Sequence, residues 1–372
     1  KDKSIKVDKS SHSMMQSNWS PDGKYIAYSC SKTSRTSIIK IYDTSLKKIY
    51  EITKPISHDY SPVFDPSGKY LAFHSNRTFN PVYDSIQFDL NFTVSEKTYL
   101  ITLNKEVQSP FIKDPQKDIP PTKDKKKKEK KVKVKIDFKN IENRIMEIPH
   151  KETILDNDIG FIDNKIFYLE WPVEGSRQDG WYDLDSKPKG ILKYYDLNEL
   201  EEKVFMANVS SFSIDDKNSK ILIKSGQNIR VLSAKAIPTK EVLSNPKFNK
   251  NTGLVDFSRI KLEINVGAEW KQMYSEAWRL QRDHFWVSNM SNIDWDKIYT
   301  RYMKLVKRVN TRSEFSDLIW EMQGELGTSH CYEFGGDYIY PRNYTIGMLG
   351  ADLKYDVRKK AYKINSIAKG DL

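Results

Sequence analysis

Hydrophobic and polar positions alternate in short runs over the first two thirds of the chain, and the alternation recurs. Residues Trp19–Tyr28 read W-S-P-D-G-K-Y-I-A-Y, and residues Phe64–Phe73, 45 positions later, read F-D-P-S-G-K-Y-L-A-F. In each unit an aromatic residue ends one strand. Pro and Gly then form a tight turn, because Pro fixes φ and Gly tolerates positive φ, and an aliphatic strand follows. The recurrence predicts repeated β-hairpins with Trp19 and Phe64 in equivalent buried sites.

Two weaker copies of this unit occur later, at Phe161–Leu169 and Phe212–Ile223. Three of the four units are followed by a further alternating strand: Ser37–Asp43, Gly190–Asp196 and Asn228–Leu232. Since a β-propeller repeats such units around a ring of about four to eight blades, we expect residues 1–255 to form the C-terminal blades of a propeller. A β-sandwich with coincidental turns is the alternative. The W-S-P-D-G-K pattern is specific in order as well as in composition, which favours the propeller.

The hydrophobic period changes from 2 to 3.6 near residue 265, which predicts helices. A first helical face is formed by Trp270, Met273, Tyr274, Ala277 and Trp278. Asp294 is a suitable N-cap for a second helix, Thr311-Arg-Ser-Glu314 is a capping box for a third, and Gly327 suits the C′ position after it. We interpret residues 262–340 as a helical domain, and its aromatic stripes as core rather than a cofactor site.

Two strands are predicted at Thr345–Leu353 and Ala361–Ile367. Two strands do not make a stable domain, so we expect residues 344–372 to begin a further domain and the chain to be an internal part of a longer protein. The predicted fold class is mainly β with an α-helical domain.

The net charge of +11 is concentrated in one segment. Residues 113–135 contain eleven Lys, three Asp and one Glu, which gives +7 and leaves +4 for the rest of the chain. A basic nucleic-acid-binding face is therefore not expected on the folded part. We interpret residues 113–135 as a solvated, disordered insert, with a nuclear-localisation or RNA-binding segment as the alternative.

Two further features limit the class of protein. No apolar run approaches the ~18 residues needed to span a bilayer, and the N-terminal residues lack the apolar core of a signal peptide. Cys30 and Cys331 are too few for a disulfide framework, which is compatible with a reducing cytosol.

The most informative chemistry lies in Gly327-Thr-Ser-His-Cys-Tyr-Glu333. A His directly after a helix stop has a rigid support, as a general base requires, so His330 is the candidate base and Ser329 could orient its imidazole. Cys331 is a rival nucleophile, but neighbours in an extended segment point to opposite faces. His330 and Glu333 lack further ligands for a metal site. His284 could be oriented by Asp283, but we interpret it as a surface or packing residue.

The same region resembles the tricorn proteases. The resemblance rests on Glu269–Phe285 (E-W-K-Q-M-Y-S-E-A-W-R-L-Q-R-D-H-F), on Asp294-Trp295, and on Trp320–His330 (W-E-M-Q-G-E-L-G-T-S-H). The blades look like the end of that family's second propeller. Residues 262–340 look like its first catalytic subdomain, and Gly347–Asp352 looks like the start of its PDZ-like domain.

The resemblance implies a cytosolic serine peptidase that cuts oligopeptides and assembles as a homo-oligomer, with no cofactor, metal, nucleic acid or membrane involved. His330 matches the family's general base, and Ser329 matches the Ser that orients it. The nucleophilic Ser, the oxyanion hole and a supporting Glu would lie outside this chain, so the isolated fragment is expected to be inactive. The alternative is a non-catalytic propeller-based binding or scaffolding module.

Overall fold

The computed structural model divides the chain into two compact units, residues 1–260 and residues 261–372. It describes residues 4–10, 12–91, 94–112, 132–173, 188–215, 219–336, 338, 347 and 349–368.

The first unit contains four antiparallel sheets that follow one another along the chain, as expected for propeller blades. The first blade comprises β1 (Met14–Trp19), β2 (Tyr25–Ser31), β3 (Ser37–Asp43) and β4 (Lys48–Glu51). The second comprises β5 (Asp59–Phe64), β6 (Tyr70–Ser75), β9 (Lys97–Thr102) and β10 (Ile145–Glu147), with a separate hairpin of β7 (Val82–Asp84) and β8 (Asp89–Asn91) inserted after β6.

The other two blades follow the same order. The third comprises β11 (Ile154–Ile162), β12 (Lys165–Trp171), β13 (Gly190–Asp196) and β14 (Glu201–Val209). The fourth comprises β15 (Ser211–Ile214), β16 (Lys220–Ser225) and β17 (Asn228–Ser233), and the short helix α1 (Lys240–Ser244) comes after it. The first strands of all four blades line a cavity of about 770 Å³. The predicted propeller class is confirmed.

The repeated turn has the strand pairing and the glycine conformation that its sequence predicts. In the first blade Trp19 pairs with Ile26, and in the second Phe64 pairs with Leu71, so the two aromatic residues occupy the same register position. Gly23 and Gly68 have φ of 69° and 72°, the left-handed conformation that the turn requires.

The prediction that Trp19 is as buried as Phe64 is wrong, since their exposed fractions are 58% and 4%. Phe64, Phe161 and Phe212 each belong to a hydrophobic cluster shared with the preceding blade. No strand precedes β1 in the described part of the chain, so the indole of Trp19 lacks the surface that covers its counterparts. Burial at this position therefore depends on the neighbouring blade rather than on the hairpin itself.

The predicted insert 113–135 extends too far at its C-terminal end. Residues 113–131 lie outside the described residues, but Val132 and Val134 pack against the core shared by the first two blades. The Val134 amide donates to Asp22 Oδ2 at 2.9 Å. A Cβ on Gly68 would lie 2.9 Å from Val134 Cγ2, so Val134 packs closely against this turn. Residues 132–135, at the end of the predicted insert, are therefore part of the fold.

The second unit begins with three helices: α2 (Val266–His284), α3 (Trp295–Val306) and α4 (Arg312–Gly324). Their apolar faces meet in one aromatic core, as the 3.6-residue period predicts. Trp278 Nε1 donates to the Trp295 carbonyl at 2.8 Å, and Trp295 Nε1 donates to the Trp278 carbonyl at 3.1 Å. This reciprocal pair satisfies both indoles and fixes α3 against the end of α2.

The second unit also contains the hairpin of β18 (Ala351–Asp356) and β19 (Ala361–Ile367). The first strand starts later than predicted, and residues 341–346 and 348 lie outside the described residues. The assignment of residues 344–372 to a PDZ-like domain stays a prediction.

Candidate active site

Helix α4 supports the candidate site, and its sequence fixes both ends. Thr311 Oγ1 accepts from the Glu314 amide at 3.2 Å, and Glu314 Oε2 accepts in return from the Thr311 amide at 3.3 Å. This is the predicted capping box, so the helix starts where the sequence indicates. The helix ends at Gly324, three residues before Gly327, whose φ of 58° turns the chain out of the last turn.

His330 lies in the segment that follows this turn. Its φ is 66°, a left-handed conformation, and its side chain is exposed. The Tyr332 hydroxyl lies 3.5 Å from His330 Nδ1, and the two rings meet edge to face with their centroids 5.9 Å apart. In the described structure Nε2 makes no hydrogen bond.

Cys331 lies on the other side of the segment. It is partly buried and packs against the aromatic core of the three helices, whereas His330 is exposed. The structure therefore separates the two side chains as predicted, although the backbone at His330 is left-handed rather than extended. A Cys331–His330 dyad is not formed.

Ser329 is exposed and lies next to His330, but no hydrogen bond joins the two side chains in the described structure. The hydroxyl that faces the imidazole belongs to Tyr332 instead. We did not predict this contact from the sequence, although a Tyr two residues after the candidate base is close enough along the chain to reach the imidazole.

Tyr332 also belongs to a small exposed aromatic group. Its ring contacts Trp320 edge to face with centroids 6.2 Å apart, and it contacts Phe334 at 5.6 Å. The exposed fractions of Trp320, Tyr332 and Phe334 are 44%, 50% and 63%. The imidazole is thus bordered by aromatic surface on one side.

The remaining candidates from the sequence are not brought to this place. Glu333 forms an ion pair with Arg312 rather than facing His330, with Nη2 and Oε1 2.5 Å apart. His284 ends α2 and is exposed, and its neighbour Asp283 pairs with Arg282. In the residues that the structure describes, no group of three or more His, Cys, Asp or Glu side chains is arranged to hold a metal.

The chain matches two domain models that come from one family. Residues 1–235 match the tricorn protease second beta propeller domain, and residues 267–324 match the tricorn protease C1 domain. None of the helices in the described ranges combines the length and the apolar character needed to cross a bilayer.

Individual relatives agree with these matches. A Sulfurisphaera tokodaii protein named as a tricorn-like protease C-terminal subunit is 36% identical over 98% of this chain and 40% of its own length. The tricorn protease homolog of Saccharolobus solfataricus is 34% identical over 98% of this chain and 32% of its own length. The chain thus spans less than half of either relative.

A solved structure shares the fold. A crystal structure of the tricorn protease superposes with a TM-score of 0.76 and 23% identity, covering 97% of this chain and 33% of that chain. Because the propeller model alone accounts for residues 1–235 of 372, the chain belongs to the tricorn protease family.

Proposed function

We propose that the protein is a serine-type peptidase that hydrolyses oligopeptides in the cytosol, with His330 as its general base. The family is one of proteases, which supports a peptidase. The nucleophilic Ser, the oxyanion hole and a supporting Glu are assigned to parts of the full protein outside this chain. The full protein is further proposed to act as a homo-oligomer, with peptides as its substrates and with no role for nucleic acid or membrane.

The observation that carries this proposal is the orientation of two neighbouring side chains. His330 is exposed at the end of a capped helix, while Cys331 packs against the helical core. A base has to reach a nucleophile from a rigid support, and a nucleophile has to reach the substrate. This arrangement favours His330 as a base that serves an external Ser, and it disfavours a cysteine mechanism.

The proposed chemistry follows from the two imidazole nitrogens. Nε2 takes the proton of the Ser hydroxyl as its oxygen attacks the peptide carbonyl, and then gives that proton to the leaving amine. For Nε2 to be the base, Nδ1 carries the ring proton and needs an acceptor. Tyr332 Oη is the hydroxyl that meets Nδ1 in the structure. Ser329 Oγ is proposed to orient the ring during catalysis.

An inhibitor comparison on the full-length protein tests the mechanism. Hydrolysis of fluorogenic oligopeptides is measured after treatment with a serine-directed phosphonate or with iodoacetamide. We expect the phosphonate to abolish activity, and both iodoacetamide treatment and Cys331→Ala to leave kcat near wild type. Loss of activity in Cys331→Ala, with resistance to the phosphonate, would replace the serine mechanism. Full-length protein that cleaves no peptide at all would support the binding module.

A further inference from the structure

The segment after the candidate base alternates strictly between two sides. Cys331 and Glu333 are partly buried, whereas His330, Tyr332 and Phe334 are exposed. His330 itself has a left-handed φ of 66°, so strand alternation does not determine where its side chain points. Its exposure depends instead on how the inward side chains of Cys331 and Glu333 anchor the residues that follow it.

The inward contact of Glu333 is a compact polar cluster on α4. Arg312 Nη2 lies 2.5 Å from Glu333 Oε1, and their side chains are 14% and 15% exposed. Ser316 Oγ donates to the same carboxylate oxygen at 3.1 Å, and Ser316 also hydrogen-bonds to Arg312 and to the Tyr338 hydroxyl. Because water is largely excluded here, this ion pair constrains the chain more than an exposed one would.

The chain then closes over the guanidinium group. Gly336 has φ of 130°, and a Cβ there would lie 2.9 Å from both Nε and Nη2 of Arg312. The Arg312 guanidinium lies over the rings of Tyr338 and Phe315, at 5.1 Å and 5.4 Å from their centroids. Arg312 is thus enclosed by the segment that it holds, which a surface arginine is not.

We infer that Arg312, Ser316 and Glu333 form a positioning clamp that sets the register of residues 330–334 and thereby holds His330 on the outer face. None of the three touches the imidazole in the structure, so each acts through the backbone of the segment. As far as it concerns catalysis, the inference rests on the proposed function. The register itself does not depend on that function.

Thiol labelling of the 372-residue chain tests the register without any activity. The chain has only two cysteines, and Cys30 is 1% exposed, so peptide mass mapping resolves maleimide addition at Cys331. Glu333→Gln should speed that addition about tenfold or more, since a released segment exposes the thiol by local opening. Glu333→Asp, which keeps the charge, should stay closer to wild type.

Glu325→Gln is the matched control. Glu325 pairs with Arg301 at 2.6 Å at the end of the same helix, so its loss also removes one Arg–Glu pair next to the site. The labelling rate at Cys331 should then stay within about twofold of wild type, because the Arg301–Glu325 pair does not hold residues 330–334 in place. If Glu333→Gln fails to fold, as judged by its thermal midpoint, Arg312→Lys replaces it.

Peptide hydrolysis by the full-length protein completes the test. Glu333→Gln should lower kcat by up to about 10²-fold with little change in KM, because a displaced base impairs the chemical step more than binding. Unchanged Cys331 labelling in both Glu333→Gln and Arg312→Lys would overturn the clamp. Faster labelling with wild-type kcat would overturn its positioning role. If His330→Ala itself keeps wild-type kcat, the proposed function fails, while labelling still decides the clamp.

Discussion

Two buried histidines of the propeller unit contrast with the exposed His330 of the helical unit. In the propeller unit, His74 is fully buried and His150 nearly so, whereas His330 in the helical unit is exposed. His150 Nε2 accepts from the Thr98 amide at 3.0 Å, and its Nδ1 donates to the Lys151 carbonyl at 2.8 Å. These contacts fix the neutral tautomer that carries its proton on Nδ1. The His150 imidazole thus serves as a hydrogen-bonded part of the packed propeller.

His330 has no such enclosure. The only side chain hydrogen-bonded to it in the described structure is Tyr332, at 3.5 Å, and both rings are exposed. The difference agrees with the proposed function, in which the segment after α4 presents its side chains for chemistry and the buried groups of the propeller unit contribute to stability. Substitutions in the propeller should therefore change the free energy of unfolding, and substitutions around His330 should change the rate of peptide hydrolysis.

The largest effect is expected from His330→Ala in the full-length protein. Removal of a general base of this type lowers kcat by about 10⁴-fold or more. Hydrolysis of a fluorogenic peptide under saturating substrate provides the measurement. His284→Ala is the matched control, since His284 is also exposed and ends a helix of the same unit, and it should keep wild-type kcat.

Phe64→Ala and Trp19→Ala test the propeller side of the comparison. Phe64 is buried between two blades, so its truncation should cost about 3–5 kcal/mol of unfolding free energy. Trp19 occupies the same register position but is 58% exposed, and its truncation should cost less than about 1 kcal/mol. Urea unfolding followed by circular dichroism measures both. Equal costs would mean that the hairpin position, and not the neighbouring blade, determines the contribution.

Ser329→Ala should have a smaller effect on rate than His330→Ala. An orienting group is expected to contribute roughly 10–10³-fold to kcat, because the base remains present. The measurement is again kcat for peptide hydrolysis. Thr328→Ala, which alters the preceding exposed residue, should stay near wild type. A wild-type rate in Ser329→Ala would leave Tyr332 as the orienting group.

Acid should destabilise the propeller unit through its buried histidines. Burial lowers the pKa of His74 from 6.5 to about 3, and burial also lowers the pKa of His150. The unfolded chain then binds more protons, so stability is complete above about pH 6.5 and falls as the pH drops toward 3. At pH 5, His74 alone should cost about 2 kcal/mol relative to pH 7.

Unfolding free energies at pH 7 and pH 5 test this dependence. His74→Gln should reduce the difference between the two values, whatever its absolute stability. His58→Gln, at an exposed ring of the same unit, should leave the difference unchanged. An unaltered pH dependence in His74→Gln would assign the acid sensitivity to other groups.

The sequence predicted the hairpins because each repeats a local rule. Trp19–Tyr28 and Phe64–Phe73 contain the end of one strand, the turn and the start of the next strand within ten residues, so no distant contact is needed. Strand β10 was missed, since it joins β9 from 43 positions further along and follows a Lys-rich segment without periodicity. The burial of Phe64 and the exposure of Trp19 differ because neighbouring blades, not local sequence, cover them.

The candidate site also combines a local feature that the sequence predicted with a distant contact that it did not. The capping box at Thr311 and Glu314 is a four-residue motif, and it predicted where α4 begins. The Arg312–Glu333 pair joins residues 21 positions apart and leaves no periodic signal, so sequence reasoning could not identify it. Charges of opposite sign are abundant in this chain, and only the fold selects which of them meet.

The smallest effect is expected from shortening the Lys-rich segment, and the position of the cut sharpens the comparison. Replacing residues 114–130 with a short Gly/Ser linker should change the unfolding free energy by less than about 0.5 kcal/mol, because the free energy of closing a loop depends only weakly on its length.

Extending the deletion to residue 135 also removes Val134, which is buried in the core of the first two blades. That longer deletion should cost about 1–3 kcal/mol, as expected for lost burial and the cavity left behind. Urea unfolding of the two variants gives the difference directly. Equal stabilities would show that residues 132–135 contribute nothing to the blades, and a large loss from the shorter deletion would show that the charged segment itself is structural.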